Sequence, residues 1–283
     1  MNAATGDGGV FSIATWNVNS LRVRGEQLQQ WLRDTAPDVV ALQETKMQDP
    51  DFPHPEFTAA GYHSVFSGQK TYNGVALLSK LPMTDLVRDI PDFDDPPRRV
   101  LAATIGGFRV INLYVPNGQA PGSDKFAYKL RWLEALTRWL EREATHHPGL
   151  VVLGDFNIAP EDRDVHDPAA WVGNVHVSPE ERAALRGIFD LGLSDTFRQF
   201  EQPEKAFSWW DYRQGAFRRN NGLRIDVELL NGEMREKNAR IFGSRSSPYS
   251  WRRRSCRYAD VLLRNVLKLL MPTTSTPPRS RSL

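Results

Sequence analysis

Leu150-Val151-Val152-Leu153-Gly154-Asp155-Phe156-Asn157 is the stretch from which the rest of this chain is read. Four apolar residues, two of them β-branched, stop at a glycine, which is the pattern of a buried strand ending where a sheet opens to solvent. Period-two alternation then aims Asp155 and Asn157 the same way, one an acceptor when ionised and the other able to donate. That pair suits a metal-bound phosphate, although the tetrapeptide alone is equally consistent with a strand followed by an Asx turn.

The flanking sequence repeats the motif of an apolar run closed by a polar residue. Phe11 to Trp16 alternates as a strand ending at Asn17, and Asp38 to Leu42 is a buried strand that runs into Gln43-Glu44-Thr45. Arg109 to Tyr114 is another, cut off by Pro116. Gly74 to Leu78 and Val100 to Ile105 are further strands. Helical periodicity appears in Gly25 to Arg33 through Leu28 and Trp31-Leu32, and in Lys125 to Glu143 through Leu130, Leu133, Leu136 and Leu140. A third helix is expected from Pro179 to Leu191 behind a Ser178 cap. Several strands follow one another without an intervening helix, so the pattern predicts an α/β sandwich with mixed sheets rather than a strict βαβ repeat. Asn17, Glu44, Tyr114, Asp155 and Asn157 then all fall at strand ends, where layered α/β folds place their sites.

Composition narrows the function classes. The 283 residues are 40% apolar, enough for a full core in one large domain, and the net charge of +2 does not by itself announce nucleic acid. Charge is uneven, however: Arg218, Arg219 and Arg224 cluster, and Arg252 to Arg254 form a second run. One cysteine, Cys256, excludes a disulfide framework and a cysteine-based zinc site and is compatible with a cytoplasmic protein. Met1 to Gly9 lacks the apolar core of a signal peptide, and no stretch is long enough to span a bilayer, so no membrane role is expected.

The polar strand ends form a set suited to phosphodiester hydrolysis. A hard divalent cation such as magnesium takes oxygen ligands and leaves room for water and a phosphate oxygen, with Glu44 the best candidate ligand. Asn17 would orient that carboxylate or bind phosphate. Asp155 is placed to align or deprotonate the attacking water, Asn157 to donate to charge growing on phosphoryl oxygens, and Tyr114 to stabilise that charge or the leaving oxygen.

Seven ordered blocks make this chain resemble the exodeoxyribonuclease III family. They are Trp16 to Ser20, Leu42 to Lys46, Gly68 to Lys70 leading into Tyr72 to Ala76, Ile111 to Gly118, Gly154 to Pro160, Phe207 to Arg213, and Gly222 to Asp226. Each alone is weak; their order over roughly residues 10 to 230 is specific. The resemblance implies a four-layered α/β sandwich of the deoxyribonuclease I type, magnesium dependence with manganese as a substitute, 3′-to-5′ removal of nucleotides from duplex DNA, and incision at abasic sites. It assigns the metal environment to Asn17, Glu44, Asp155 and Asn157 and the catalytic set to Tyr114, Asp155, Asn157 and Asp226, the last orienting a histidine. A monomer acting on duplex DNA, especially abasic or nicked, is expected, with Asn117, Lys125, Trp209, Trp210, Arg213, Phe217, Arg218 and Arg224 as candidate contacts.

The segment from Phe207 to Asp226 favours DNA over a small phosphorylated head group, because it offers aromatic wedges beside cations. On residues alone, tryptophans filling a core and solvated arginines are the ordinary alternative. Lys125 and Lys129 are placed to touch backbone phosphates or are simply helix-surface charges. His146-His147 is set aside as a metal pair because adjacent helical residues face apart, and His166 and His176 are set aside as loop residues.

The end of the chain departs from the family. The family's closing Ser-Asp-His triplet is absent, and the last histidine is His176, so nothing after Asp226 supplies an imidazole. The sequence therefore predicts a tail over 238–283 that is atypical, frameshifted and largely disordered, following a nuclease domain over 10–237 and a disordered stretch over 1–9. It predicts a short amphipathic helix over 261–270, disorder over 273–283, and no normal final strand. Two alternatives follow: a weak or inactive protein that binds abasic or nicked DNA without cutting it, and a phosphomonoesterase acting on small substrates. Resequencing the gene is expected to reveal an alternative frame, downstream of the Asp226 block, that encodes Ser-Asp-His; its absence rules out the frameshift.

Overall fold

The computed structural model describes residues 10–231, 240–241 and 266–270. In chain order the elements are β1 (Val10–Asn17), α1 (Leu21–Thr35), β2 (Val39–Gln43), α2 (His54–Ala59), β3 (His63–Ser67), β4 (Val75–Ser79), β5 (Met83–Arg88), β6 (Val100–Ile105), β7 (Phe108–Tyr114), α3 (Asp124–His146) and β8 (Leu150–Asp155). They continue with α4 (Pro168–Trp171), α5 (Pro179–Phe189), β9 (Leu193–Asp195), β10 (Trp209–Trp210), α6 (Ala216–Arg219), β11 (Gly222–Leu223), β12 (Asp226–Asn231), β13 (Arg240–Ile241) and β14 (Val266–Leu270). No helix among the described residues is long and apolar enough to cross a membrane.

Two six-stranded sheets, β13-β14-β1-β2-β4-β3 and β5-β6-β7-β8-β12-β9, pack face to face. Each is mixed, with β1 parallel to β2 in one and β7 parallel to β8 in the other. Because alternate side chains point to opposite faces, every central strand feeds two cores. Ile13, Val39, Ala41 and Leu77 meet Leu101, Val110, Val151 and Leu153 between the sheets. On the outer faces, Trp16, Val40 and Leu42 lie under Leu28, Trp31 and Leu32 of α1, and Ile111, Leu113 and Val152 lie under Trp132, Leu133 and Leu136 of α3 with Leu185 and Ile188 of α5. Helix, sheet, sheet and helix make the four layers expected from the sequence. The Ser178 cap is present as a full capping box with Glu181.

One polar cluster interrupts the layer between the sheets. Asn112 of β7 donates through Nδ2 to the Leu42 and Ala76 carbonyls, both at 2.9 Å, while its Oδ1 accepts from Gln43 Nε2 at 2.7 Å. Gln43 Nε2 also donates to Thr15 Oγ1 at 2.9 Å. Three hydrogen bonds thus cross from one sheet to the other in a dry interior, where amides that missed their partners would be costly.

The structure corrects two expectations for the end of the chain. Val266–Leu270 is a strand, not the end of a helix, and it pairs antiparallel with β1 from Val10↔Leu270 to Ala14↔Val266. A strand close to the end of the chain is therefore present where no normal final strand was expected: the N–H and C=O groups along the β1 edge are a template for another strand, and the chain's own segment takes it. The other expectations for the tail and for residues 1–9 lie outside the described residues. Asn112→Ala, which strands the cross-sheet donors and acceptors, is expected to destabilise the protein by about 2–4 kcal/mol in urea denaturation.

Candidate active site

Gly154 shows how local sequence builds the site. Its φ is +139°, and a Cβ there would lie 2.0 Å from the Leu113 carbonyl oxygen, so only glycine lets β8 run this close to β7. The register that follows sets Asp155 beside Tyr114 on one side and Asp226 on the other. Beyond the strand end, Asn157 adopts φ +50° and donates its backbone N–H to Asp155 Oδ1 at 2.9 Å. This is the Asx turn: the sequence alternatives were not exclusive, and the turn rather than strand alternation aims the Asn157 carboxamide. Its Nδ2 donates to the Val115 carbonyl at 2.9 Å, and its Oδ1 accepts a long bond from Asn117 Nδ2 at 3.4 Å.

The other sheet supplies Asn17, at the end of β1, and Glu44, one residue past β2. Glu44 has φ +52°, and the turn it opens is held by the Thr45 N–H on the Gly74 carbonyl at 3.1 Å and the Lys46 N–H on the Asn73 carbonyl at 2.9 Å. Asn17 Nδ2 donates at 2.8 Å both to Glu44 Oε1 and to Asp155 Oδ2. One amide therefore ties the carboxylates of the two sheets together. Lys46 Nζ lies 2.9 Å from Glu44 Oε2.

The electrostatics are those of a buried cluster of carboxylates. Burial raises Asp155 well above the usual carboxylate range, and the charge of Asp226 adds to it, against the bonds donated by Asn17 and Asn157. Asp226 is pushed up to about 7, chiefly by burial, with Ser208 and Arg224 opposing. Burial also pushes Glu228 up to about 8, with Asp195 and Asp226 adding to it. Burial, then the charges of Glu44 and Asp155, raise Tyr114, so its phenol stays a neutral donor; the Arg99 guanidinium sits 4.8 Å from its ring centroid.

Among the described residues no group of three or more histidines, cysteines and carboxylates encloses a metal by itself. An all-oxygen set of Glu44, Asp155 and Asn17, open to water and phosphate, still suits magnesium, which commonly uses one or two carboxylates and completes its shell from solvent and substrate. Asp226 Oδ1 is buried and has no hydrogen-bond partner among the described residues, a further sign of a group awaiting a cation or donor.

His176 is the residue the sequence reading passed over. It is only 4% exposed. Its Nδ1 lies 2.6 Å from the Asn157 carbonyl, its Nε2 is 3.4 Å from Asn117 Nδ2, and the Trp209 ring is 6.1 Å away. Burial first, and the Lys129 charge second, push the ring down to about 4, so it is neutral and donates through Nδ1. The only available signal was the flanking pair Val175 and Val177, which marks a segment with an apolar side.

The expected DNA-contact residues divide. Lys125, Arg213 and Arg218 are exposed, Arg213 pairing with Asp211, and Trp209 is half-buried beside His176. Trp210 is corrected to a packing residue: 5% exposed, it sits in a small core with Phe207, Ala216 and Phe217, and its Nε1 donates to Asn220 Oδ1 at 3.2 Å. Arg224 is corrected more strongly. It is 2% exposed, and its guanidinium bonds Asp164 Oδ1 at 2.7 Å and Asp195 Oδ2 at 2.6 Å, so it is buried against carboxylates rather than presented to a phosphate. Lys129 is likewise no surface charge, being fully buried.

Residues 14–247 match the Endonuclease/Exonuclease/phosphatase family, and the chain belongs to it. Exodeoxyribonuclease III of Haemophilus influenzae is 36% identical over 236 residues, 79% of this chain and 88% of that one. Among solved structures, the 3′ phosphatase NExo from Neisseria bound to product DNA hairpin is 41% identical with a TM-score of 0.82, covering 93% of this chain and 100% of that one. An AP endonuclease from Archaeoglobus fulgidus is 33% identical with a TM-score of 0.79, again covering 93% and 100%. By family, this is an exonuclease III-type DNA repair nuclease with a deoxyribonuclease I-like fold.

The raised carboxylates carry a stability signature. Glu228, with its folded value above its unfolded one, contributes full stability below about pH 4.5 and loses it as pH rises towards 8. Metal-free protein is therefore expected to weaken between those values, and Glu228→Gln to flatten the decline by on the order of a few kcal/mol in denaturation curves.

Proposed function

We propose that this chain is a magnesium-dependent nuclease of duplex DNA that removes nucleotides 3′ to 5′ and incises at abasic sites. The observation that supports it most is the Asn17 amide shared by Glu44 and Asp155, because it assembles carboxylates from two sheets at one strand-end cluster.

In this reading Glu44, with Asn17 beside it, would hold the cation, which supplies charge for a phosphoryl oxygen when bound. Asp155 takes the proton of the water that attacks phosphorus. Asn157 and the neutral Tyr114 phenol donate to the oxygens where charge accumulates, while the P–O3′ bond breaks and the leaving oxygen takes up a proton. Exposed Arg213 and Arg218, with Lys125, provide phosphate contacts, and Trp209 an aromatic face. Asp226 would orient an imidazole that the sequence beyond it does not contain. His176 does not replace it, because Nδ1 is committed to the Asn157 carbonyl. Lack of one general acid or base costs a nuclease about two to four orders of magnitude in rate, so slow turnover is expected rather than none.

A second reading, action mainly on 3′ termini, is favoured by the two 41% identical structures, described as a 3′ phosphatase and a 3′-5′ exonuclease from Neisseria. Purified protein with magnesium should be given three duplexes: one with a 3′ phosphate, one with a recessed 3′ hydroxyl and one with an internal abasic site. Chelation and Asp155→Asn are each expected to lower turnover by at least about 100-fold. Binding in gel shifts without hydrolysis of any duplex would instead support a DNA-binding protein that does not cut.

A further inference from the structure

Behind the asparagines of the site lies a buried ion pair that phosphate chemistry does not require. Lys129 of α3 is fully buried, and its ammonium bonds the Asn157 carbonyl at 2.8 Å, the Asn117 carbonyl at 3.2 Å and Glu181 of α5. All three ammonium donors are used. Glu181 is also fully buried: Oε1 accepts from the His176 N–H at 3.1 Å and Oε2 from the Ser178 N–H at 3.1 Å. His176 in turn donates to the same Asn157 carbonyl. One charged pair therefore binds the backbone of three loop segments: 115–118 after β7, 156–158 after β8, and 175–178 before α5.

A buried ion pair is commonly no better for stability than a well-packed apolar pair of similar volume. Its placement here needs another account. The carbonyls held by Lys129 belong to the two residues whose side-chain amides meet at the site, Asn117 and Asn157. Asn157 is in the left-handed region, so its carboxamide direction depends on how its backbone is held. We propose that Lys129 and Glu181 are positioning residues that preset the Asn117 and Asn157 amides for the phosphoryl oxygens. The kinetic part of this inference rests on the nuclease reading.

The test compares wild type with Lys129→Met, the double variant Lys129→Met/Glu181→Leu, and Glu181→Gln. Three readouts are needed: thermal midpoint, kcat and KM on the 3′-terminal duplex with magnesium, and the side-chain amide signals of Asn117 and Asn157 in ¹⁵N-labelled protein. Lys129→Met alone strands Glu181 and is expected to lower the midpoint. The double variant should recover it to within about 3 °C, yet keep kcat at least about tenfold below wild type with KM within about threefold, and shift the two amide signals. Recovery of kcat and of the amide signals together with the midpoint overturns the proposal, since the pair would then be structural only. Should the double variant not fold, Glu181→Gln decides: lowered kcat with shifted amide signals supports the proposal, and unchanged values overturn it. A wild type without turnover refutes the nuclease reading, and the amide signals alone then decide the positioning role.

Discussion

The packing of one mixed sheet on another is the constraint on which everything else depends, because the site belongs to neither sheet alone. Asn17 and Glu44 come from β1 and β2, whereas Tyr114, Asp155 and Asp226 come from β7, β8 and β12. A one-residue slip between neighbouring strands would turn each of these side chains to the opposite face. Asn112 and Gln43 hold the sheets in relative register from within, since their amides find complementary partners at one alignment only. Asn17 repeats the cross-link at the rim, where the interior opens to solvent.

Charge is handled differently on the two sides of the site. Away from it, buried ions are matched: Arg224 by Asp164 and Asp195, Lys129 by Glu181. Around Asp155, Asp226 and Glu228 the carboxylates have too little compensation, and burial drives all three upward. Buried charge is thus neutralised elsewhere in the fold, while an excess of acid is left around Asp155. Of the matched pairs, Lys129 and Glu181 also hold the backbone that carries Asn117 and Asn157.

The family match and the neighbouring structures support the fold over the body of the chain. Asp226 sits in β12 beside Asp155, and no histidine follows His176 in the sequence. Membership of the family and rate of turnover are separate properties, and the first does not fix the second.

The sequence by itself determined the strands β1, β2, β4, β6, β7 and β8, the three long helices and the polar residues at the strand ends, because apolar periodicity and glycine stops are local signals. It also determined the family, since seven motifs in order carry more information than any one. Short strands such as β3 and β12 escaped it, their alternation being too brief or masked by buried acids such as Asp226 and Glu228. Only the tertiary structure decided which cations are exposed: Arg224 and Lys129 look like Arg218 and Lys125 in the sequence, and burial against carboxylates from distant segments separates them. It likewise moved Trp210 into a core, brought His176 from a polar loop to the back of Asn157, and paired Val266–Leu270 with β1. Each of these depends on contacts between residues far apart in the chain, which no window of sequence contains.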